Sequence, residues 1–417
     1  MKLKAPRGTN DILPPVSLQW QYIEDLTKKI LHNYNYHEIR TPIFEYTELF
    51  QRGIGEVTDI VEKEMYSFTD KGGRGITLRP EGTASVVRSF MENKVYGQAQ
   101  PTKYYYLGPM FRYERPQAGR FRQFHQLGIE AFGSNDPALD AEVIALGLNI
   151  LKKLGLNNLE VYLNSIGCPE CRVKYIDKLK AYLLKYEDEL CSDCQRRLQR
   201  NPFRILDCKI DNEIIKEAPI ITDYLCEECN QHFNMVKKYL DSIEVKYIVE
   251  PTLVRGLDYY TNTAFEVKYT GLGAQDTIFG GGRYNGLAEE IGDKAIPGIG
   301  FAIGLERILL TIERQGIKLP IEESLDLFIT TIGEKAKEAA FGYIYKLREV
   351  GLKVEMDYLG RSVKGQMKSA DRMNATYTII IGDNELDNGV ATIRNMKSGE
   401  ELEIKLIEMT EKMQSMV

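Results

Sequence analysis

The chain has 417 residues, 43% hydrophobic and 27% charged, with 35 Gly and 15 Pro, the composition of a soluble globular protein rather than a disordered, collagen-like or membrane-embedded one. Its length predicts two to three domains. With 54 Lys and Arg against 60 Asp and Glu the net charge is −6, which excludes a general basic coat and leaves any nucleic-acid contact to local patches.

No run approaches the roughly 18 consecutive apolar residues of a membrane span, and the first eight residues lack the apolar core of a signal peptide, so a cytoplasmic, non-membrane protein is expected. Pro14 and Pro15 precede Ser17, a suitable N-cap, and Trp20, Ile23, Ile30, Leu31 and Tyr34 follow at roughly helical spacing. A long first helix is predicted. The segment from Arg40 to Glu45 reads as extended, because Pro42 pushes the residue before it out of the helical region. The runs Tyr104 to Leu107 and Gly128 to Phe132 read as strands flanking a charged loop, an antiparallel hairpin. From 168 to 245 the texture changes: all seven cysteines, many Lys and Arg and few alternating strands predict a mostly helical insertion. Strands resume from Ile248 to Phe301 and pass into an amphipathic helix from about Gly304 to Ile312. A linker marked by Gly316 and Pro320 follows. Beyond it, Leu325 to Thr331, Leu352 to Met356 and Tyr377 to Ile381 read as strands, and Glu334 to Val350 and Arg361 to Met373 as helices. That alternation predicts a small α/β domain.

Phosphate handling cannot come from a glycine-rich cradle. The pattern G-x-x-x-x-G-K-[ST] is absent, and Gly298, Gly300 and Gly304 have the wrong spacing for G-x-G-x-x-G. Arginines must serve instead. Arg112, Arg115, Arg120 and Arg122 crowd the hairpin loop against a single acid, Glu114. Guanidinium groups stay charged and hold phosphate oxygens bidentately, so such a loop suits a polyphosphate; a solvated charged hairpin would show the same composition. Arg255 stands among Leu253, Val254, Leu257, Tyr259 and Tyr260, where an unpaired charge is costly. Arg307 lies in the first turn of a predicted helix, against the helix dipole, and needs another reason to be there.

Taken in order, Pro42, the segment from Phe111 to Glu130 and the run Gly304-Leu305-Glu306-Arg307 resemble motifs 1, 2 and 3 of the class II aminoacyl-tRNA synthetases. The runs Arg79-Pro80-Glu81-Gly82-Thr83, Arg255-Gly256-Leu257-Asp258-Tyr259-Tyr260 and Gly281-Gly282-Arg283-Tyr284-Asn285-Gly286-Leu287 bring the resemblance closer, to the histidyl-tRNA synthetase family. It extends from Arg7-Gly8-Thr9-Asn10-Asp11 to the final domain. The resemblance implies an α+β catalytic domain over residues 1–325, with an antiparallel sheet of class II synthetase type and a helical Cys-rich insertion at 168–245. A C-terminal α/β anticodon-binding domain would span 326–417, and motif 1 would form the interface of a homodimer. The implied reaction joins L-histidine and ATP, supplied with Mg2+, into histidyl-adenylate and pyrophosphate. Histidine then passes to the 3′ end of tRNA(His).

The same resemblance assigns residues. By similarity Arg112 and Arg255 hold the α-phosphate and the histidine carboxylate, and Arg120 and Arg307 the outer phosphates, so Arg112, Arg255 and Arg307 carry catalysis. Glu114 takes the adenine amino group and Phe124 stacks on its ring. Glu81, Thr83 and Gln126 bind the α-amino end of histidine; Glu130, Tyr260 and Tyr284 face its imidazole, with Tyr259 beside them. Arg115 and Gln117 are assigned to tRNA. A pocket whose polar groups need the ring N–H rejects analogues lacking it by roughly 10⁴–10⁵, so no editing domain is required.

Six of the seven cysteines form C-x-x-C pairs, Cys168/Cys171, Cys191/Cys194 and Cys226/Cys229, with Cys208 alone. Two converging pairs make a Cys₄ zinc site, and Cys168/Cys171 with Cys226/Cys229 are favoured because Gly167 and Pro169 give the first pair a turn; reduced free thiols are the alternative. Of His32, His37, His125 and His232, only His125 lies near the expected site. A structural role is expected for it rather than general-base catalysis, since the attacking carboxylate is already ionised. Arg361, Lys364, Lys368 and Arg372 recur at intervals of three and four on one predicted helix face. Such a stripe is a solvated face or, through the resemblance to an anticodon-binding domain, a contact with the tRNA backbone. One rival reading is a regulatory, non-catalytic paralogue from an ATP phosphoribosyltransferase complex, which would have lost reactive arginines and the terminal domain. Another, a zinc-containing RNA-binding protein, leaves the pocket residues without explanation.

Overall fold

The computed structural model describes residues 3–55, 58–117, 119–321 and 323–417, and the chain divides into two compact units, Met1–Leu319 and Pro320–Val417. In the first, helix α1 (Val16–Asn33) buries Trp20, Ile23, Ile30 and Leu31, the inward stripe that their spacing predicts. Its N-cap is Pro15, not Ser17. The Ser17 N–H already bonds to the Leu13 carbonyl at 3.1 Å, so the turn has begun before Ser17 can cap it.

Strands β1 (His37–Glu38) and β2 (Phe44–Tyr46) lead to α2 (Thr47–Ile54), β3 (Tyr66–Thr69) and β4 (Gly75–Leu78), and β2, β4 and β3 form a small antiparallel sheet. Helix α3 (Thr83–Glu92) is followed by the hairpin β5 (Thr102–Phe111) and β6 (Gln123–Phe132), in continuous antiparallel register. Helix α4 (Pro137–Lys153) starts on Pro137, whose missing N–H costs nothing there, and Asp136 caps it by accepting the Ala138 N–H. After β7 (Glu160–Ser165) come α5 (Pro169–Leu183), α6 (Ser192–Arg200), α7 (Asn212–Lys216) and α8 (Glu227–Ser242). The unit closes with β8 (Ile248–Val249), β9 (Thr261–Lys268), β10 (Thr277–Arg283), α9 (Leu287–Gly292), β11 (Gly298–Gly304) and α10 (Leu305–Arg314).

The main sheet runs β1-β5-β6-β11-β10-β9-β7-β8. Its central strands are antiparallel, and parallel pairing occurs only at the edges, β1 with β5 and β7 with β8. Leu127, Ile129 and Ala131 of β6 and Ile299, Phe301 and Ile303 of β11 form one core with Ile23 and Leu31 of α1 and Val143 and Ile144 of α4. Each such side chain, fully buried, contributes about 1.5–3 kcal/mol. Helix α8 supplies Phe233, Val236 and Leu240 to the same core, so the last helix of the Cys-rich segment is part of the sheet's packing. Helix α5 and the following turns pack Tyr175, Leu179, Leu183 and Phe203 with Val86, Val87 and Phe90 of α3 in a second core.

The second unit contains β12 (Leu325–Thr331), α11 (Glu334–Glu349), β13 (Val354–Met356), α12 (Val363–Arg372), β14 (Ala375–Ile381), α13 (Asp383–Asn388), β15 (Val390–Asn395), β16 (Glu401–Lys405) and α14 (Met409–Met416). Its sheet runs β13-β12-β14-β15-β16, with β12 parallel to both neighbours and the last two pairings antiparallel. Leu327, Ile329, Ile344, Leu347, Ile379, Met409 and Met413 form its core. The predicted stripe is shorter than its spacing implies: Arg361 precedes Ser362, the N-cap of α12, and only Lys364, Lys368 and Arg372 belong to the helix. Among the described residues no helix is long and apolar enough to cross a membrane.

Candidate active site

Strand alternation decides which residues of the motif 2 hairpin reach the ligand side. Leu127, Ile129 and Ala131 enter the helical core, so Gln126, Gly128 and Glu130 face the other way. Antiparallel pairing then sets Gly304 of β11 opposite Gln126 and Gly300 opposite Glu130. A Cβ at Gly300 would collide with the Glu130 carboxylate, so bare backbone is what allows the acid to sit there.

On this face opens a cleft of about 220 Å³, lined among others by Glu81, Thr83, Gln126, Arg255, Tyr260 and Tyr284. Glu130, 1% exposed, accepts hydrogen bonds from Thr83 Oγ1 at 2.8 Å, from the Tyr106 hydroxyl at 3.4 Å and, closely, from the Tyr284 hydroxyl. Burial outweighs these donors and pushes its pKa up to about 8. Glu81 accepts the N–H groups of Thr83 and Ala84 at 2.6 and 2.9 Å, the first turn of α3. Burial still raises its pKa. Tyr259 and Tyr260 pack ring to ring with centroids 4.7 Å apart, and Tyr259 meets Tyr284 edge-on at 5.7 Å. Among the described residues Gln126 Oε1 is buried with no partner, and a buried acceptor of this kind calls for a donor from a ligand.

The cationic residues line the same cleft. Arg112 Nε donates to the Pro80 carbonyl at 2.8 Å, and its guanidinium lies 5.4 Å from the Phe124 ring centroid. Glu114 stands 3.2 Å from Arg120 and 3.9 Å from Arg112. Arg307, which also lines the cleft, donates to the Thr277 carbonyl, and burial together with nearby Arg120 holds its pKa below the ordinary value. Arg255, its side chain 19% exposed, pairs with Glu266 of β9, which Lys268 also approaches at 3.6 Å. Burial opposes the Arg255 charge, but Glu266 together with Tyr260 and Tyr259 outweighs it and raises the pKa. Arg255 Nε is left without a partner among the described residues. A Cβ at Gly280 would stand 2.6 Å from Arg255 Nη1, so β10 yields its side-chain volume to this guanidinium. Four arginines thus share one cleft with the buried Glu81, and Glu130 stands behind Thr83 and Tyr284 of its wall, an arrangement suited to a polyphosphate beside a small ligand bearing N–H donors.

The sequence matches the family model described as histidyl-tRNA synthetase over residues 8–174 and 183–308, and an anticodon binding domain model over residues 326–416. The chain belongs to the histidyl-tRNA synthetase family. It is 70% identical over 419 residues to the histidine–tRNA ligase of Halothermothrix orenii, with 100% of both chains covered. The crystal structure of apo S. aureus histidyl-tRNA synthetase has 46% identity and a TM-score of 0.86, covering 99% of this chain and 100% of that one. A Bacillus halodurans C protein described as an ATP phosphoribosyltransferase regulatory subunit/histidyl-tRNA synthetase has 23% identity and a TM-score of 0.66 over 92% of this chain and 98% of that one. That likeness is one of fold alone.

Several residues that shape the site escape sequence reasoning. Glu266 alternates with Phe265 and Val267, which are fully buried; its period marks it as facing away from the core, but not that Arg255 awaits it. Arg283, inside the Gly281 to Leu287 run, does not line the cleft. It is 0% exposed and bonds Asp140 at 2.5 Å and the Ser134 and Asp136 carbonyls at 2.9 and 3.1 Å. Asp140 also accepts Thr263 at 2.5 Å and meets His232 at 2.9 Å, so this knot fastens α4 to the sheet. The His125 backbone N–H donates to Glu306 Oε1 at 2.9 Å, its Nδ1 lies 3.0 Å from the same oxygen, and Trp20 meets the ring edge-on at 4.8 Å.

Arg115 and Gln117 are exposed in the loop between β5 and β6, and Lys364, Lys368 and Arg372 are exposed on α12. Arg361 is tied to Asp357 at 2.9 Å. In the Cys-rich segment the ligand atoms of Cys168, Cys171, Cys226 and Cys229 lie within 4.8 Å of one another. The Cys226 N–H donates to Cys171 Sγ at 3.0 Å, and Asn262 Nδ2 to Cys229 Sγ at 3.3 Å.

Proposed function

We propose that this chain activates L-histidine with ATP, taken as its Mg2+ complex, and charges tRNA(His), using the cleft just described. A histidine carboxylate oxygen forms a bond to the α-phosphorus as the bond to the bridging oxygen of pyrophosphate breaks, giving histidyl-adenylate. The tRNA 3′-terminal hydroxyl then attacks the histidyl carbonyl and AMP leaves. Like charges repel in the first step, and preorganised cations relieve that repulsion as charge builds on phosphorus. The observation that carries this reading is Arg255, a partly buried cation on the cleft wall whose buried Nε has no partner among the described residues. Arg255 and Arg112 hold the α-phosphate and carboxylate; Arg120 and Arg307 hold the outer phosphates. Glu114 takes the adenine amino group, exchanging its contact with Arg120, and Phe124 supports the ring. At the other substrate, Gln126 Oε1, Glu81 and Thr83 receive the α-ammonium group. Glu130, Tyr259, Tyr260 and Tyr284 receive the imidazole. Histidine-dependent ATP–pyrophosphate exchange tests the assignment: activity with histidine alone among amino acids is expected, and activity with another and none with histidine overturns it.

The homodimer of the family reading is supported by exposed apolar side chains around the small sheet, Ile43, Phe44, Tyr46 and Phe68, each 45% exposed or more. Sedimentation at twice the chain mass is expected; a monomer at micromolar concentration argues against it. Among the described residues the seven cysteines form no disulfide, which supports a cytoplasmic setting.

Residues 326–417 serve as the anticodon-binding domain, with Arg361, Lys364, Lys368 and Arg372 against the tRNA backbone and Arg115 and Gln117 meeting tRNA near the cleft. Replacing the four basic residues together is expected to weaken tRNA binding and flatten its salt dependence, each lost phosphate contact removing about 0.7–0.9 from the log–log slope. Arg361 contributes least, because Asp357 already engages it. An unchanged slope in a folded variant returns the stripe to solvated surface.

The Cys168, Cys171, Cys226 and Cys229 cluster fits a structural zinc ion, which would supply cross-linking and no reactive step. The sulfurs converge, and N–H groups donate to two of them, as around ligating thiolates. Cys168→Ser/Cys171→Ser is expected to lose about one zinc per chain; zinc content equal to the parent's overturns this assignment.

A further inference from the structure

The remaining C-x-x-C pair and the solitary cysteine are not spare. Cys191 is the N-cap of α6 and Cys194 lies in its first turn. Cys208 ends the 3-10 helix Pro202–Asp207, and Asp211 is the N-cap of α7. The chain thus repeats one local device: a Cys191-x-x-Cys194 corner meets a Cys208-x-x-Asp211 corner, with an aspartate where a fourth cysteine would stand. Their ligand atoms lie within 4.8 Å of one another.

Two of the spacings match the edges of a coordination shell. Cys191 Sγ and Cys208 Sγ are 3.8 Å apart, and Cys208 Sγ is 3.6 Å from Asp211 Oδ2. Zinc bonds of about 2.3 Å to sulfur and about 2.1 Å to oxygen, set tetrahedrally, put those edges at about 3.8 Å and about 3.6 Å. A disulfide would need about 2.05 Å. Cys194 is 0% exposed and Asp211 6% exposed. The Cys191 N–H reaches both Asp211 oxygens, at 3.1 and 3.2 Å, which orients the carboxylate towards the thiols. Three thiols and one carboxylate, converging on one point with Cys194 and Asp211 out of water, make a donor set of the kind that zinc takes.

We propose that Cys191, Cys194, Cys208 and Asp211 form a second zinc site, a Cys₃Asp shell distinct from the Cys168 cluster. Three thiolates and one carboxylate around Zn2+ leave a net charge of −2, as in a Cys₄ site, and the thiol protons go to solvent on binding. Between the two corners lie Asn201, which donates to Asp258 Oδ1 at 3.1 Å, and Arg204, which donates to the Arg255 carbonyl at 3.1 Å. The ion therefore fastens the segment that braces the backbone of the Arg255 loop.

Elemental analysis of the full chain, purified reduced and without chelator, tests this. About two zinc ions per chain are expected, falling to about one in Cys208→Ser/Asp211→Asn and to about one in Cys168→Ser/Cys171→Ser. X-ray absorption on Cys168→Ser/Cys171→Ser is expected to show three sulfur and one oxygen neighbour around its zinc. If the Cys208/Asp211 variant does not fold, the parent protein decides: about 3.5 sulfurs per zinc at two ions per chain supports the site. One zinc per chain with four sulfurs, or zinc content unchanged in Cys208→Ser/Asp211→Asn, overturns it. One zinc with three sulfurs and one oxygen, indifferent to Cys168→Ser/Cys171→Ser, upholds this site and removes the Cys₄ assignment instead.

Discussion

Replacing Arg255 by alanine is expected to lower histidine-dependent ATP–pyrophosphate exchange by about 10²–10³, the usual loss on removing one preorganised donor to developing charge. The fall should appear mainly in kcat, because the interaction with the α-phosphate strengthens as charge accumulates in the transition state, while histidine keeps its other contacts. The substitution leaves Glu266 without its main partner, which could unfold the protein for trivial reasons. Lys268 at 3.6 Å and Thr277 at 3.1 Å remain to hold that carboxylate, so the fold is expected to survive and circular dichroism will show whether it does. Near-normal exchange in the folded variant removes Arg255 from the chemistry.

Glu130→Gln is expected to do two opposite things. Histidine affinity should fall about 10- to 100-fold, the value of a hydrogen bond to a charged group, about 1.5–3 kcal/mol, with ATP binding unchanged. Stability of the free protein should rise. The folded-state pKa is raised by burial to about 8 from 4.5, so the contribution of Glu130 to stability is fully present below the unfolded-state value and is lost as pH climbs towards 8. In the same window the unfolded chain has released the proton that the native state still binds, so stability falls with pH. The loss reaches a few kcal/mol at full ionisation. Glutamine has no such titration. The variant should therefore melt higher than the parent, by more at pH 8.5 than at pH 6. An equal melting difference at both values would mean that Glu130 does not titrate in this range; unchanged histidine affinity would turn it away from the imidazole. A binding group held at a cost in stability is what a pocket built for its ligand's polar atoms entails.

Much of the catalytic framework is visible in the amino-acid order. The strands of the β5–β6 hairpin show as aromatic and β-branched runs, the inward stripe of α1 shows in its spacing, and the linker before the second unit shows in Gly316 and Pro320. These are local properties: backbone preference and burial period act over a few residues, so a short window contains the whole cause. The residues of the motifs are likewise contiguous runs, and their resemblance to a known family needs no folding to be seen. The C-terminal hairpin β15–β16 and helix α14 went unforeseen for the converse reason, since their apolar residues are short runs whose burial depends on the neighbours that cover them.

Pairing across distance was decided only by the tertiary structure. Arg255 reads as a costly charge until β9 delivers Glu266 to it, and Arg283 is one residue of a motif run with no assigned role until α4 delivers Asp140. Both outcomes turn on which face of a strand a residue occupies and which neighbour stands in register, quantities set by the whole sheet rather than by any one strand. The cysteines make the same point. The turn at Gly167 and Pro169 favours Cys168/Cys171 with Cys226/Cys229 and leaves Cys191, Cys194 and Cys208 unassigned, because the fourth member of their cluster is an aspartate. Aspartate is too common on surfaces to announce itself as a ligand; only folding of the segment from α6 to α7 places Asp211 among the thiols. The pKa of Glu130 is tertiary for the same physical reason, since desolvation belongs to everything packed around a group and to no residue by itself.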